Sequence, residues 1–430
     1  MVLSRNVSHD QRMNLINILG VPRSPHISNT WGFQRLGKIK EEMFANIRDK
    51  IWQRVQGWNE KMLSQAGKEI LLKTVIQAIP TYAMSCFKLS SSLIHKIESM
   101  MSNFWWHNKG DRRVHWVAWN TLCRMKEEGG MGFRHLDAFT DALLAKQAWR
   151  LIEHPSSLVG RMFKAKYYPN TDFFNAKLGG RPSFTWRSIL GVRSLITAGS
   201  RWRVGDGEKI RIWHDRWLPR PFPYTPTMHT QNDDTRVSSL IEHNTTEWNE
   251  SRLQALFSPS EISCIKSIPL GKYTVDRIIW HFNTNGKFLV KSAHHLAVQI
   301  QSMHSPSSSS NLGNGIPNSE DWKFVWNRAV PRKTMIFCWK VCHNALPTLS
   351  NLAKRRVDVC NFCPVCSKED ETLSHVLFEC NFARQIWALS HLPHQILSAP
   401  HQNCADWIKN CCKSLLSPEA DLFVTICWNI

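Results

Sequence analysis

Four residues near the C-terminal end have the types and spacing of a metal site. They are Cys363, Cys366, His375 and Cys380, in the stretch CPVCSKEDETLSHVLFEC. A Cys-x2-Cys pair forms a tight knuckle that brings two thiolates to one ion at about 2.3 Å. Pro364, between the two, stiffens the turn. His375 and Cys380 complete a tetrahedral donor set. Three thiolates and a neutral imidazole would hold Zn2+ at a net charge of about −1 and close it to water, so the site would be structural, not catalytic. The competing reading is a cluster of buried thiols and one imidazole in an ordinary core. Cys360 makes a second Cys-x2-Cys with Cys363, so spacing alone does not fix the donors. Cys363 and Cys366 are preferred because they flank the proline turn. Geometry adds a demand. On a straight α-helix, positions 375 and 380 lie about 140° apart. A helix starting near Thr372 must therefore break around Cys380, and Asn381 tolerates a break.

Other chemical signals are weaker. Gly-Asp-Gly-Glu (205–208) lacks the lysine and the strand-to-helix setting of a phosphate loop, so it reads as a hairpin turn. No Gly-x-Ser-x-Gly elbow occurs. His294 and His295 are neighbours on a predicted helix and read as a surface or core pair. The sequence names no catalytic residue and no small-molecule substrate.

The elements that must position these residues follow from periodicity. Ile39, Met43, Ile47, Ile51 and Val55 form an apolar stripe at four-residue steps, with Gly57 as a stop. A second helix begins after the N-cap Ser64 and ends near Pro80. Met84–Met101 predicts a third, ending at Phe104-Trp105-Trp106. Asp137 is the expected cap of a strong helix closed by Pro155. Beyond it, SRWRVGDGEKIRIWHDRW predicts a hairpin, and DRIIWHFNTNGKFLVKSA a second one turning at Asn283–Gly286. Residues 301–319, rich in serine, read as a flexible linker. Helices on both sides of Pro331 lead into the cysteine cluster. The predicted class is α+β, mostly helical.

Charge points to a partner. Residues 1–230 carry 35 Lys+Arg against 17 Asp+Glu, and residues 231–430 carry 19 against 17. Nearly all of the +20 excess lies in the first part, which suits a polyanion, and the common intracellular polyanion is nucleic acid. Plain solubility is the alternative. No run of apolar residues is long enough to span a membrane, and MVLSRNVSHDQRM has no apolar core of a signal peptide, so an intracellular protein, nuclear or cytoplasmic, is expected. Thirteen scattered cysteines then read as reduced thiols and metal ligands. Lys354-Arg355-Arg356 is too short for a nuclear signal. Most of the 20 tryptophans read as core. The exception is FWWHNKGDRRVHWVAW, where Trp105, Trp106 and Trp116 interleave with Lys109, Arg112 and Arg113. Base stacking beside phosphate contacts is one reading of it, and a structural hairpin with a solvated basic tip is the other.

CPVC…ETLSHVLFEC, preceded by VWNRAVPRKTMIFCWKVCHNALPTLSNLAKRR, resembles the zinc-binding domain of reverse transcriptases from plant LINE-type (non-LTR) retroelements. GWNEKMLSQAGKEILLKTVIQAIPTYAM, EEGGMGFRHLDAFTDALLAKQAWRLI and RWRVGDGEKIRIWHDRWLP are similar to segments that follow the polymerase palm in the same polyproteins. The resemblance implies a palm-edge and thumb-like basic helical region at 1–155, connecting regions at 156–235 and 236–300, and the linker. A zinc-binding domain at 320–395 follows, then a tail at 396–430 leading toward a ribonuclease H domain. It also implies RNA or DNA as partner and structural zinc as cofactor. The family's aromatic-x-Asp-Asp motif holds the catalytic metals. Here the only Asp-Asp, Asp233-Asp234, lies in a polar connection. The expectation is a non-catalytic, nucleic-acid-binding remnant. A zinc-stabilised protein-interaction module and a part of a longer active polyprotein are the alternatives.

Overall fold

The computed structural model describes residues 38–430 apart from 60, 108–113, 221–223, 227–233, 243–246, 272–273, 304–321 and 394–402. The predicted linker, Lys109, Arg112, Arg113 and Asp233 therefore lie outside the described residues, the linker but for its first three positions. The chain divides into two units at Lys50 and Ile51. Of the first, only the opening turns of helix α1 (Lys38–Asn59) are described. α1 runs past Gly57, because a glycine without a left-handed turn does not end a helix.

In the second unit, Ser64 caps α2 (Gln65–Leu71), its side chain accepting from the Gly67 N–H at 3.2 Å. A π-helical turn, Leu72–Ile76, extends it toward Pro80. The predicted third helix is two pieces: a single turn, Thr81–Met84, and α3 (Ser91–Trp106), capped by Ser90. α4 (Leu136–Glu153) begins one residue before Asp137, so Asp137 sits in the first turn and does not cap. The buried Glu98 carboxylate instead accepts the Leu136 N–H at 3.2 Å. Ala138, Ala142, Ala145 and Ala148 on α4 are wholly buried. Small side chains there let neighbouring helices approach closely. Around α4 gather α5 (Leu158–Tyr167), α6 (Phe184–Gly191) and α7 (Arg193–Gly199), with Trp149 and Trp186 inside.

The first expected hairpin is not one. β1 (Ser200–Arg203) pairs with β4 (Arg277–Trp280), antiparallel, Ser200 opposite Trp280 and Arg203 opposite Arg277. The Gly-Asp-Gly loop closes on a carboxylate. Buried Asp276 accepts the N–H groups of Gly205 at 2.7 Å, Gly207 at 3.0 Å and Lys209 at 2.8 Å. Gly207 has φ +73° and suits that wrap. Alternation along a strand shows which face is buried, not which strand is the partner. The second hairpin is a turn with one strand. Gly286 N–H donates to Asn283 O at 2.9 Å, but no strand follows it before α10 (Val290–Met303). Between β1 and β4 lie a two-stranded ribbon, β2 (Ile241–Glu242) with β3 (Glu247–Trp248), and α8 (Glu250–Leu256) and α9 (Pro259–Lys266). They enclose a separate core of Ile210, Ile212, Trp217, Leu240 and Leu253.

The last part consists of α11 (Arg332–Cys342), α12 (Leu349–Lys354), α13 (Asn381–Leu389), α14 (Cys404–Ser414) and α15 (Ser417–Asn429). Trp387, Trp407 and Phe423 pack ring against ring, tying α13 to α14 and α15. Within the second unit, this part is joined to the helical region at 61–167 by side-chain bonds. Trp339 Nε1 donates to Gly129 O at 2.8 Å and Trp326 Nε1 to Lys126 O at 3.1 Å. Glu69, 4% exposed, accepts from Lys73 and Lys126 at 2.8 Å and from Arg332 at 3.2 Å. The protein is α+β and mostly helical.

Candidate metal centre

The knuckle is built by backbone bonds. Cys363 N–H donates to Glu369 O and Ser367 N–H to Cys363 O, both at 2.8 Å. Phe362 and Asp370 form an isolated bridge below it. Ser367, at φ +53°, takes the left-handed position that closes the loop. The loop aims N–H groups at one sulfur. Those of Lys368 and Glu369 pull the Cys366 thiol down to about 6, with His375 and Cys363 helping and burial opposing. Burial raises Cys363, which is 2% exposed.

His375 and Cys380 come together by a device that periodicity does not suggest. His375–Glu379 is a π-helical turn, and Cys380 N–H donates to His375 O at 2.8 Å, an i→i+5 bond. Widening the turn brings two residues five apart onto nearly one face. Cys380 then leaves the helix with extended backbone (φ −60°, ψ 138°) and becomes the N-cap of α13. The expected break falls on Cys380 itself.

The donor atoms of Cys363, Cys366, His375 and Cys380 all lie within 4.8 Å of one another. His375 Nε2 is 3.2 Å from Cys366 Sγ. Tetrahedral zinc with Zn–S of about 2.3 Å needs donor separations of roughly 3.8 Å, so the four need only small side-chain adjustments. Three of the four are buried, and the donor set, sulfur-rich with one imidazole, fits Zn2+ in a closed site. Cys360 is exposed and stands outside the group.

The Trp-rich segment divides. Trp105 (0% exposed) and Trp106 (5%) are core residues, which corrects the expectation that their rings stack on bases. They continue the inward face of α3 that carries Ile94, Ile97 and Met101. Trp105 meets Phe133 edge-on at 5.4 Å, and the Lys340 ammonium lies 5.7 Å from the Trp106 ring centre. Trp116 is half-buried, with the Arg355 guanidinium 5.8 Å from its ring centre. In the sequence Arg355 belongs only to a short basic run, and no spacing rule links it to a tryptophan 239 positions away.

Comparison with known proteins agrees with this centre. Residues 302–387 match a family described as zinc-binding in reverse transcriptase. Over 358 residues the chain is 28% identical to an Arabidopsis thaliana protein provisionally named a ribonuclease H, covering 81% of this chain and 56% of that one. An uncharacterized mitochondrial protein of Arabidopsis thaliana is 44% identical over 151 residues, 35% of this chain and 98% of its own length. The 149 kDa protein of transposon TX1 from Xenopus laevis is 22% identical, covering 80% of this chain and 32% of its own. The chain thus spans about half or less of two of these relatives. The zinc-binding match and the donor cluster together make zinc its structural cofactor. The chain belongs to the reverse-transcriptase-related proteins of plant retroelements.

Proposed function

We propose that this chain is a non-catalytic, nucleic-acid-binding part of a retroelement reverse transcriptase, braced by one zinc ion on Cys363, Cys366, His375 and Cys380. The observation that carries the binding is the charge. An excess of 18 positive charges is gathered in residues 1–230, in a chain whose family acts on nucleic acid. The zinc supplies no reaction step. It holds the knuckle against the start of α13, and the four side chains fill its coordination sphere.

The test is binding of RNA and DNA by the full chain at two salt concentrations. A fragment ending at residue 230 would part β1 from β4, so halves of the chain are not suitable. Neutralising about six phosphates should cost roughly 10³-fold in affinity between 50 and 200 mM salt. Weak, salt-independent binding would overturn the reading. Primer extension and hybrid cleavage in Mg2+ or Mn2+ should give no turnover, since two-metal chemistry needs clustered carboxylates and Asp233-Asp234 lies in a polar connection.

One observation favours a protein partner instead. Phe362 and Val365, each beside a metal-site cysteine, and Phe382, two residues past Cys380, are 56%, 62% and 47% exposed. If they form one contiguous patch, a partner could dock on it. The 56% coverage of the Arabidopsis relative favours a third reading, in which this chain is one part of a longer active polymerase.

A further inference from the structure

Within the second unit, where the end of α12 meets residues 115–120, two open clefts lie side by side. One, of about 780 Å³, is walled by α3 and residues 115–120. The other, of about 680 Å³, lies between the end of α11, α12 and residues 372–374. Trp116 and Arg355 line both. Their contact is the divide: the guanidinium sits 5.8 Å from the ring centre, and Arg355 Nη2 donates to Trp116 O at 3.5 Å.

The clefts differ in charge. No carboxylate lines the second, which presents Lys354 and Arg355, both exposed. Ser350 also lines it. That residue is 8% exposed, and its Oγ has no partner among the described residues. A buried hydroxyl without a partner is unfavourable, so one in a cationic cleft points to an acceptor supplied from outside. The first cleft has two acids, both engaged. Asp137 pairs with Lys88 at 2.8 Å, and Glu98 accepts the Leu136 N–H. His95, His115 and His135 complete its wall.

We propose that these clefts form one binding groove for a single strand of nucleic acid. A base lies against the Trp116–Arg355 pair, and the next phosphate sits in the second cleft on Lys354, Arg355 and the Ser350 hydroxyl. The proposal rests on the nucleic-acid reading above and deepens it. The single strand follows from the platform. Bases in a duplex already have both faces stacked, whereas an unpaired base offers its face to an aromatic ring or a guanidinium plane. The phosphate follows from the cations and the absence of carboxylates in the second cleft.

The experiment uses the full chain, loaded with zinc, and three labelled probes of equal length: oligo(U), oligo(dT) and a mixed-sequence DNA duplex. Trp116→Ala should weaken both single strands by roughly 5- to 150-fold and leave the duplex within about twofold. Trp116→Phe should restore most of the loss. Arg355→Ala should weaken single strands and lower the salt slope by about one. Lys164→Ala, at an exposed position of α5 outside both clefts, should affect single strands and duplex alike. Zinc content and melting temperature of each variant report folding. Equal losses for duplex and single strands, or none in either variant, would sink the groove while leaving general binding intact. Failure of the unmodified chain to bind any probe would sink both.

Discussion

Replacing Cys366 with serine tests the zinc assignment most directly. The segment from Val357 to Cys380 has little else to hold it. Its buried apolar side chains, cysteines aside, are Leu373 and Leu377. Burial of two leucines supplies about 3–6 kcal/mol. Structural zinc in small peptides supplies an apparent 10–16 kcal/mol, roughly, at neutral pH. The metal therefore stabilises the knuckle more than its apolar burial does. α13 is different, because Trp387 is anchored on Trp407 and Phe423 and donates to Leu377 O at 2.7 Å. Losing the metal should open residues 357–380 and leave α11, α13, α14 and α15 packed.

Lys368, exposed in the loop between Cys366 and His375, provides a built-in reporter. Trypsin cuts such a site at a rate set by the open population when closing is fast. If serine removes even about 3 kcal/mol of local stability, cleavage at Lys368 should rise by roughly 150-fold. Metal analysis should fall from one zinc per chain to less than about a tenth. His375→Ala should behave alike, because it removes the imidazole donor. Cys360→Ser should do neither, since that thiol is exposed and outside the cluster. One retained zinc in Cys366→Ser, or loss of zinc in Cys360→Ser, would refute the donor set. Loss of the main unfolding transition along with the zinc would refute the claim that α13–α15 stand without it.

Glu69→Gln should destabilise the chain by about 2–4 kcal/mol in urea unfolding, because it leaves Lys73, Lys126 and Arg332 around a buried neutral amide. Arg332→Gln, at a 42% exposed partner, should cost about 1 kcal/mol or less. Burial between the rings of Trp322 (5.0 Å) and Trp339 (4.6 Å) holds His343 down at about 4, and nearby Arg124 adds to the effect. An unfolded histidine titrates near 6.5, so the unfolded chain takes the proton first. Stability from this group is full above about pH 6.5 and falls between there and pH 4, by up to roughly 3 kcal/mol. His343→Gln should flatten that acid limb relative to the unmodified chain, and an unchanged slope would show the imidazole to be protonated in the fold.

Local signals in the sequence are legible wherever a single segment decides its own structure. Ser64 caps α2, and the apolar face of α4 sits in the core. The knuckle residues converge because a Cys-x2-Cys turn is a local object. Signals fail where the decisive partner is distant. The alternation in Arg201–Arg203 is real, yet its partner strand is 77 positions on, and the loop between is organised by Asp276. A turn-forming Gly-Asp-Gly looks the same whether it closes a hairpin or wraps a carboxylate.

The tryptophans make the same point for function. Trp105 and Trp106 follow four residues behind Met101 and Ser102, so helical period sends them inward once α3 is known to extend that far. Interleaving with basic residues carries no information about their direction. Trp116 stands outside that helix, and the binding role proposed for it rests on Arg355, which arrives at the end of α12 from the zinc-bearing part. A basic triplet too short to be an address in the sequence becomes, at that seam, a cation beside an aromatic face. If the zinc ion fixes the segment that follows α12, its loss should also weaken single-strand binding at Trp116, although no ligand of the metal lines either cleft. The same Cys366→Ser chain can therefore be carried into the oligo(U) assay. A loss there similar to that of Trp116→Ala would mean that the metal acts on the groove by holding its second wall. Unaltered affinity would mean either that residues 357–380 stay closed without the ion, keeping the 2.6 Å bond from the Leu349 N–H to the Glu371 carboxylate, or that α12 holds its place without that bond.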